Sequence, residues 1–580
     1  MVAGATLVST RLQPINLLDF SGGLNLRRTN FQLDDNESPG MLNVNMDQRG
    51  GFVTRAGWSA WNATSIIGSP SELTWQPRNA EMHLYSSGAM ATFISNQDRV
   101  WAAQPGQNFA DLGITASAAP HLCDFAGWGD TMYLACGRTR QAAKVVGPPA
   151  AGNPAALIPK AATANWNNDY TIINNNVFPG CEHAEAHGGY MFVANTQEDS
   201  IVYPNRLRWS HPDQPEDWAK ADFIDILQGG SHITGLRSFR DHLLIFKVDS
   251  VWALYGYDQN SWQLIKVSAS IGTPHPGAIT KSEDAVYFYS ASSRNGIYRY
   301  QGDNPVLISD PIRRATDAIT EDRDVWLGWV SRRLWCSLPW DPDPYFSSHG
   351  SLFVFDPEMS PSGSWIRYKP ARGTVACIVE RSDVGTENPL IVTCGCTGFA
   401  GVLKIMANPD IAGDVFTSAE GIVGYRCYYR TSWKHAGWPE LQKSWLRARV
   451  IARVPVQDVK LRMDTFWNYD SDNSRRTHVF DVVASGGVFW RLDGYDDAKG
   501  GGFDWSEQGS AAARGADWRS GARIGDTLVR PTSANATRAG GSLGWARAVM
   551  LEFQPEDYTE AKAWAIDAVV LKVNLRRFTT

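Results

Sequence analysis

The sequence predicts an all-β fold: a β-propeller followed by a C-terminal β-sandwich-like domain, with an extended N-terminal arm. Three observations carry this prediction. Helical periodicity is nearly absent along the 580 residues. Short runs of aromatic and β-branched residues recur behind polar turns at intervals of 32 to 59 residues. The character of the runs then changes near residue 416. A loose repeat of several short strands per unit is how propeller blades read, because one blade cannot bury both of its faces alone.

Residues 1–60 form the first element, an arm that ends in a hairpin. Residues 19–58, DFSGGLNLRRTNFQLDDNESPGMLNVNMDQRGGFVTRAGW, give an extended stretch, a turn of helix near Pro39–Asn43 and a hairpin into the first strand. The arm has few apolar residues, separated by polar ones and Gly22-Gly23. Such a segment is costly to order alone. It is therefore expected to pack on a neighbouring subunit or on the partner ring through Leu17, Leu18, Phe20 and Leu24.

Residues 61–415 are the expected propeller. Strands start after turns at Gln97, Gly129, Gly188, Arg240, Glu283, Arg332 and Asn388. Seven starts give about seven blades, and the short first interval allows six. Single blades are legible. Arg240–Tyr257 reads as a strand, a two-residue turn at Asp249–Ser250 and a second strand carrying Trp252 on a core face with Leu254. Glu283–Gly302 repeats the plan with Asn295-Gly296 in the turn. Helical text is limited to Asp310–Thr320 and Pro215–Lys220.

Residues 416–580 hold longer alternating stretches such as KSWLRARVIARVPV from Lys443, with one face apolar and one polar, as sandwich strands require. Charge changes with them. Residues 421–580 carry a net charge of +5, against −11 for residues 1–420.

Composition narrows the function. With 43% hydrophobic and 20% charged residues the chain is globular, not a disordered polyampholyte, a collagen or a coiled coil. No run is long enough for a membrane span, and the first residues read as lacking a signal peptide. A net charge of −6 argues against a nucleic-acid clamp. The eight cysteines, at 123, 136, 181, 336, 377, 394, 396 and 427, are sparse and sit mostly in apolar runs, as reduced buried thiols do. Cys394-Gly-Cys396 is a tight pair with no second pair to complete a metal site.

The candidate motifs favour structural readings. His183 and His187 lack the Glu offset of a zinc-protease helix and run into a strand. Asp341 and Asp343, Asp470 and Asp472, and Asp493, Asp496 and Asp497 lack the distal Glu of a calcium loop and read as turns. There is no Walker A loop or Rossmann fingerprint, and the Gly-Gly pair at 540–541 reads as a turn. Sialidase, WD40 and kelch signatures are missing too. The 24 tryptophans read as strand cores and wedges between blades. Neither an enzymatic activity nor a cofactor is expected.

The N-terminal text resembles one family. Gly22-Gly23-Leu24-Asn25, the polar Asp34-Asp35-Asn36-Glu37, Asn43-Val44-Asn45 and Arg55-Ala56-Gly57 resemble the opening of the tail nozzle, or tail tubular protein B-like, propeller subunits of tailed bacteriophages. The loop NRLRWSHPDQPEDW from Asn205 and its following hairpin, the stretch Gly272–Gly302 and Asp310-Pro-Ile-Arg-Arg continue the likeness. Together they cover roughly a third of the chain; the C-terminal 160 residues carry no such signature. The family more often has Pro where this chain has Ala56.

The resemblance implies a virion structural subunit assembled in the bacterial cytoplasm, forming a ring (nozzle or collar) of the tail through which the genome is ejected. It implies self-assembly into a homohexamer. Partners would be portal, adaptor or other tail proteins and tail fibres. Double-stranded DNA would be non-specific cargo, and the host envelope would be met indirectly during ejection. The alternative is a receptor- or glycan-binding tail propeller, with glycan hydrolysis included.

Overall fold

The computed structural model describes residues 13–575 apart from 30–31, 48–49, 62–76, 97–98, 105–106, 116–122, 150–155, 158–176, 293, 321, 341–349, 360–362, 374, 382–387, 394–398, 400, 407–410, 417–420, 438, 455–458, 471–475, 483–522 and 530–543. Its centre is a ring of seven antiparallel four-stranded sheets. Blade 1 spans 77–115, blade 2 124–157, blade 3 180–225, blade 4 233–268, blade 5 279–307 and blade 6 326–368. Blade 7 takes three strands from 375–405 and its fourth, Trp58–Ala60, from near the start of the chain. The first strand of each blade neighbours the first strand of the next, and blade 7 meets blade 1 in the same way. The ring is therefore closed and has an axis.

The repeated signal in the sequence is the interior of each blade. Six of the seven marked turns open a blade's second strand; Gln97 precedes the third strand of blade 1, Arg99–Ala103. Inner blade strands are covered on both faces, so His242–Lys247 and Val286–Ser290 are buried along their whole length. That gives continuous apolar text where a half-wet strand would alternate. Between blades the faces form shared cores, as where Phe192 and Leu207 of blade 3 meet Leu243 and Trp252 of blade 4.

The second module is a sandwich built from both ends of the chain. One sheet runs in the order Arg523–Val529, Lys443–Val454, Ala565–Leu575, Phe52–Thr54, Val44–Met46, and Gln13–Leu17 also pairs with Ala565–Leu575. The other runs Gly40–Leu42, Tyr428–Arg430, Val549–Pro555, Val459–Trp467, Arg476–Val482. Their inner faces meet in an aromatic cluster. Phe52 stacks on Tyr429 with centroids 4.2 Å apart, and Phe20 meets both edge-on at 5.1 and 5.4 Å.

Several local expectations are corrected. Residues 13–54 are not a free arm: Gln13–Leu17, Gly40–Leu42, Val44–Met46 and Phe52–Thr54 join the sandwich sheets, where the C-terminal strands offer an edge and an apolar face, and Gly23–Leu24 pairs with Glu37–Ser38. The stretch at Pro39–Asn43 is the strand Gly40–Leu42, not a helical turn. Pro215–Lys220 is a loop held by Asp217, which bonds His211 at 2.9 Å. Asp310–Thr320 is a short 3-10 turn running into the helix Arg313–Asp317. The blade 4 hairpin turns one residue earlier than read, at Val248-Asp249, because Lys247 N–H bonds the Ser250 carbonyl. Gly296 begins a strand; a Cβ there would lie 2.4 Å from Leu307 Cδ1, so close packing fixes it rather than a left-handed turn.

Candidate functional site

The first strands of five successive blades bring ionisable side chains to the propeller axis. Blade 1 supplies Glu81, blade 2 Asp124, blade 3 His183 and Glu185, blade 4 Arg237 and blade 5 Lys281. Arg237 is the hub. Its Nη1 lies 3.8 Å from Asp124 Oδ1 and 3.7 Å from Glu185 Oε2, and it donates to the Leu236 carbonyl at 2.9 Å. Lys281 Nζ is 3.7 Å from Glu185 Oε1, and His183 Nδ1 is 3.6 Å from Asp124 Oδ2. Glu185 also accepts the Ser238 N–H at 2.9 Å.

All four charged contacts exceed direct hydrogen-bond length, the spacing at which water bridges ionic groups. Asp124 Oδ2 and His183 Nδ1 are both buried without a hydrogen-bond partner. Burial raises the pKa of Glu185, opposed by Arg237 and Lys281. Burial likewise pushes Glu81 up to about 7, opposed by Arg237 and assisted by Glu185. Glu81 nonetheless shows surface to solvent. Solvent at that surface screens the group and reduces the rise, whose direction is upward.

The cluster can tie blades 2 to 5 together electrostatically and take up a proton. The nearest approach to a catalytic pair is His187 Nδ1, 2.8 Å from Ser238 Oγ. Among the described residues no carboxylate hydrogen-bonds that imidazole, so the pair lacks the orienting group of a hydrolytic triad. Among the described residues no group of three or more His, Cys, Asp or Glu is placed to hold a metal. Cys394, Cys396, Asp341, Asp343, Asp472, Asp493, Asp496 and Asp497 lie outside them.

A cleft of about 410 Å³ opens where blade 6 meets the sandwich, lined among others by Arg55, Trp58, Arg332, Arg333, Trp335 and Tyr368. Its walls are already paired: Arg333 with Asp356 at 2.8 Å and Arg332 with Glu358 at 3.6 Å.

The expected anchors of the arm are placed differently from the reading above. Leu17, Phe20 and Leu24 are buried in their own chain, within the core that joins the sandwich to blades 5–7. They have no surface left for a neighbour. Leu18 alone of the four points outward, 57% exposed. Of the axial residues only His183 was singled out in the sequence; the others were missed because each blade contributes just one or two of them. The available signal was an ionisable residue recurring shortly before the polar turn in blades 2 to 5, as in CEHAEAHGG and GLRSFRD.

No family model matches the chain, and no curated protein matches it. Similar solved structures include a streptogramin B lyase, at 10% identity over 61% of this chain and 98% of that one, with a TM-score of 0.35. A virginiamycin B lyase from Staphylococcus aureus overlaps 57% of this chain and 94% of its own at 10% identity and a TM-score of 0.34. YCF48 bound to D1 peptide covers 61% and 98% at 8% identity and 0.34. At these values the likeness bears on no activity, and the propeller assignment rests on the seven paired sheets.

Proposed function

We propose that this chain is a structural subunit of a tailed-phage virion, one copy in a nozzle or collar ring of the tail through which the genome is ejected. One observation carries the proposal: the residues of the family-like N-terminal text are the ones that join the two modules. Gly23, with φ +67, lies against blade 6, where a Cβ would sit 2.7 Å from the Trp365 carbonyl oxygen. Asn25 donates to Glu37 at 2.8 Å. Asn43 Oδ1 accepts from Arg55 Nε and from the Lys369 N–H, and its Nδ2 donates to the Arg426 carbonyl. Arg55 forms a bidentate pair with Asp414. Residues spent on joining two modules have a structural task, which supports a structural role.

In this reading the propeller axis is not the DNA path, since side chains from five blades meet there. The passage runs between copies, along the acidic surface of residues 1–420, which repels phosphates and lets the duplex slide. The enzymatic reading finds no support in the Ser238–His187 pair.

Light scattering on the purified chain, with negative-stain imaging, tests the proposal. A closed ring is expected, of six copies as the resemblance implies. Gel shift at about 150 mM salt should show no duplex affinity tighter than ~10⁻⁶ M. A chain that stays monomeric at all concentrations and binds a glycan would overturn the proposal in favour of a receptor-binding propeller.

A further inference from the structure

We propose that Cys123 and Cys136 form a dithiol–disulfide site that staples the inner hairpin of blade 2. The strands Asp124–Trp128 and Thr131–Ala135 pair with Asp124 opposite Ala135. The two cysteines are the next residues outward on each strand, so they face one another. Their Sγ atoms are 3.3 Å apart, and both side chains are buried in one apolar cluster. Facing residues on antiparallel strands have Cα atoms about 4.5–5.5 Å apart, inside the ~4.4–6.8 Å that a disulfide spans. Closing the sulfurs to ~2.05 Å therefore needs side-chain rotation and no movement of the strands.

The competing partner for Cys123 is Cys181 of blade 3, which is near enough to influence it electrostatically. The hairpin favours Cys136, because the backbone pairing already sets the two residues face to face. The hydrogen bond with Cys136 and burial hold the Cys123 thiol well above the usual range. Thiolate is the reacting form, so the dithiol persists until the hairpin opens briefly to an oxidant. With diamide, two protein thiols lose two electrons and two protons, one S–S bond forms, and the reagent's N=N bond is reduced to the hydrazine. The new bond would sit beside Asp124 and fix the carboxylate that Arg237 and His183 approach.

The full chain is incubated with diamide a few degrees below its melting temperature, denatured and alkylated. The expected result is loss of two of the eight alkylatable thiols, restored by dithiothreitol. Cleavage before aspartate separates the pair, since Asp124 and Asp130 lie between them, and the fragment ending at Cys123 should be linked to the one starting at Asp130. Cys136→Ser should keep its remaining seven thiols, while Cys181→Ser should still lose two. Retention of all eight in the wild type, or a link to Cys181, overturns the proposal.

Discussion

Replacing Arg55 by alanine should cost about 3–5 kcal/mol of stability, the range for breaking a buried ion pair from one side. All five guanidinium N–H groups are used. Nε donates to Asn43 Oδ1 at 2.9 Å, Nη1 to Asp414 Oδ1 at 2.9 Å and the Ala56 carbonyl at 3.0 Å, and Nη2 to Asp414 Oδ2 at 2.8 Å and the Lys369 carbonyl at 3.1 Å. The guanidinium lies 3.9 Å from the Trp58 ring centroid and 3.8 Å from that of Tyr425. Arg55→Ala leaves the Asp414 carboxylate buried with two backbone donors, Trp58 N–H and Ala371 N–H. Those donors temper the loss without replacing the cation, so the lower half of the range is expected. Asp414→Asn leaves the guanidinium uncompensated and should cost at least as much. The double variant Arg55→Ala/Asp414→Ala should lose clearly less than the two single alanine losses added, because neither charge is then stranded. Urea unfolding followed by tryptophan fluorescence and far-ultraviolet circular dichroism gives the numbers. A loss below about 1 kcal/mol for Arg55→Ala, or strict additivity, would show that the joint does not depend on this pair.

Trp252 packs between blades 3 and 4, so Trp252→Ala should cost about 3–5 kcal/mol; an unchanged urea midpoint refutes the placement. Phe20→Ala should destabilise the sandwich by a similar ~3–5 kcal/mol, through lost contacts with Phe52 and Tyr429; a wild-type melting curve would return the arm to the surface. Glu81 has a folded pKa raised by burial from the unfolded 4.5 to about 7. The folded chain therefore holds this proton more tightly, and the contribution is full below pH 4.5 and lost as pH rises through about 7. Glu81→Gln should flatten that part of the melting temperature–pH curve and raise stability at pH 8 relative to wild type; parallel curves for the two proteins contradict the assignment. The effect is reduced by solvent at the axis, so the slope is the quantity to read.

What could be read from the sequence followed burial. The second strands of blades 2 to 6 are covered on both faces along most of their length, so their apolar runs stand out without a partner being known. His242–Lys247 could be found from its own letters. The arm could not. Phe20 and Leu24 look isolated because residues they share a core with, such as Tyr429 against Phe20, are hundreds of residues away. An entropic argument that counts only local apolar residues therefore sends the arm to a neighbour. The axial cluster stayed hidden for a related reason. Each blade contributes one or two charges, and only the ring closure makes Glu81, Asp124, Glu185, Arg237 and Lys281 neighbours.

Closure itself explains why the first and last described strands lie in one sandwich. Blade 7 is completed by pairing Leu403 with Ala60, Lys404 with Ser59 and Ile405 with Trp58. Bringing together residues so far apart in the chain costs about 5 kcal/mol of loop entropy if nothing else holds them. Hydrogen bonds in a three-residue strand return about 1 kcal/mol each, so the pairing alone falls short. Burial of Trp58 adds about 3 kcal/mol, which brings closure only to near balance. The surplus comes from the flanking joint: Arg55 on Asp414, Gly57 N–H to the Ile411 carbonyl at 2.8 Å, and Phe52–Thr54 docked on Ala565–Leu575. Gly57 is required there because a Cβ would lie 2.0 Å from the Gly413 carbonyl oxygen. The sandwich thus holds the closing strand beside its partner. The described part of the segment first read as a tie between subunits is the clasp of its own propeller.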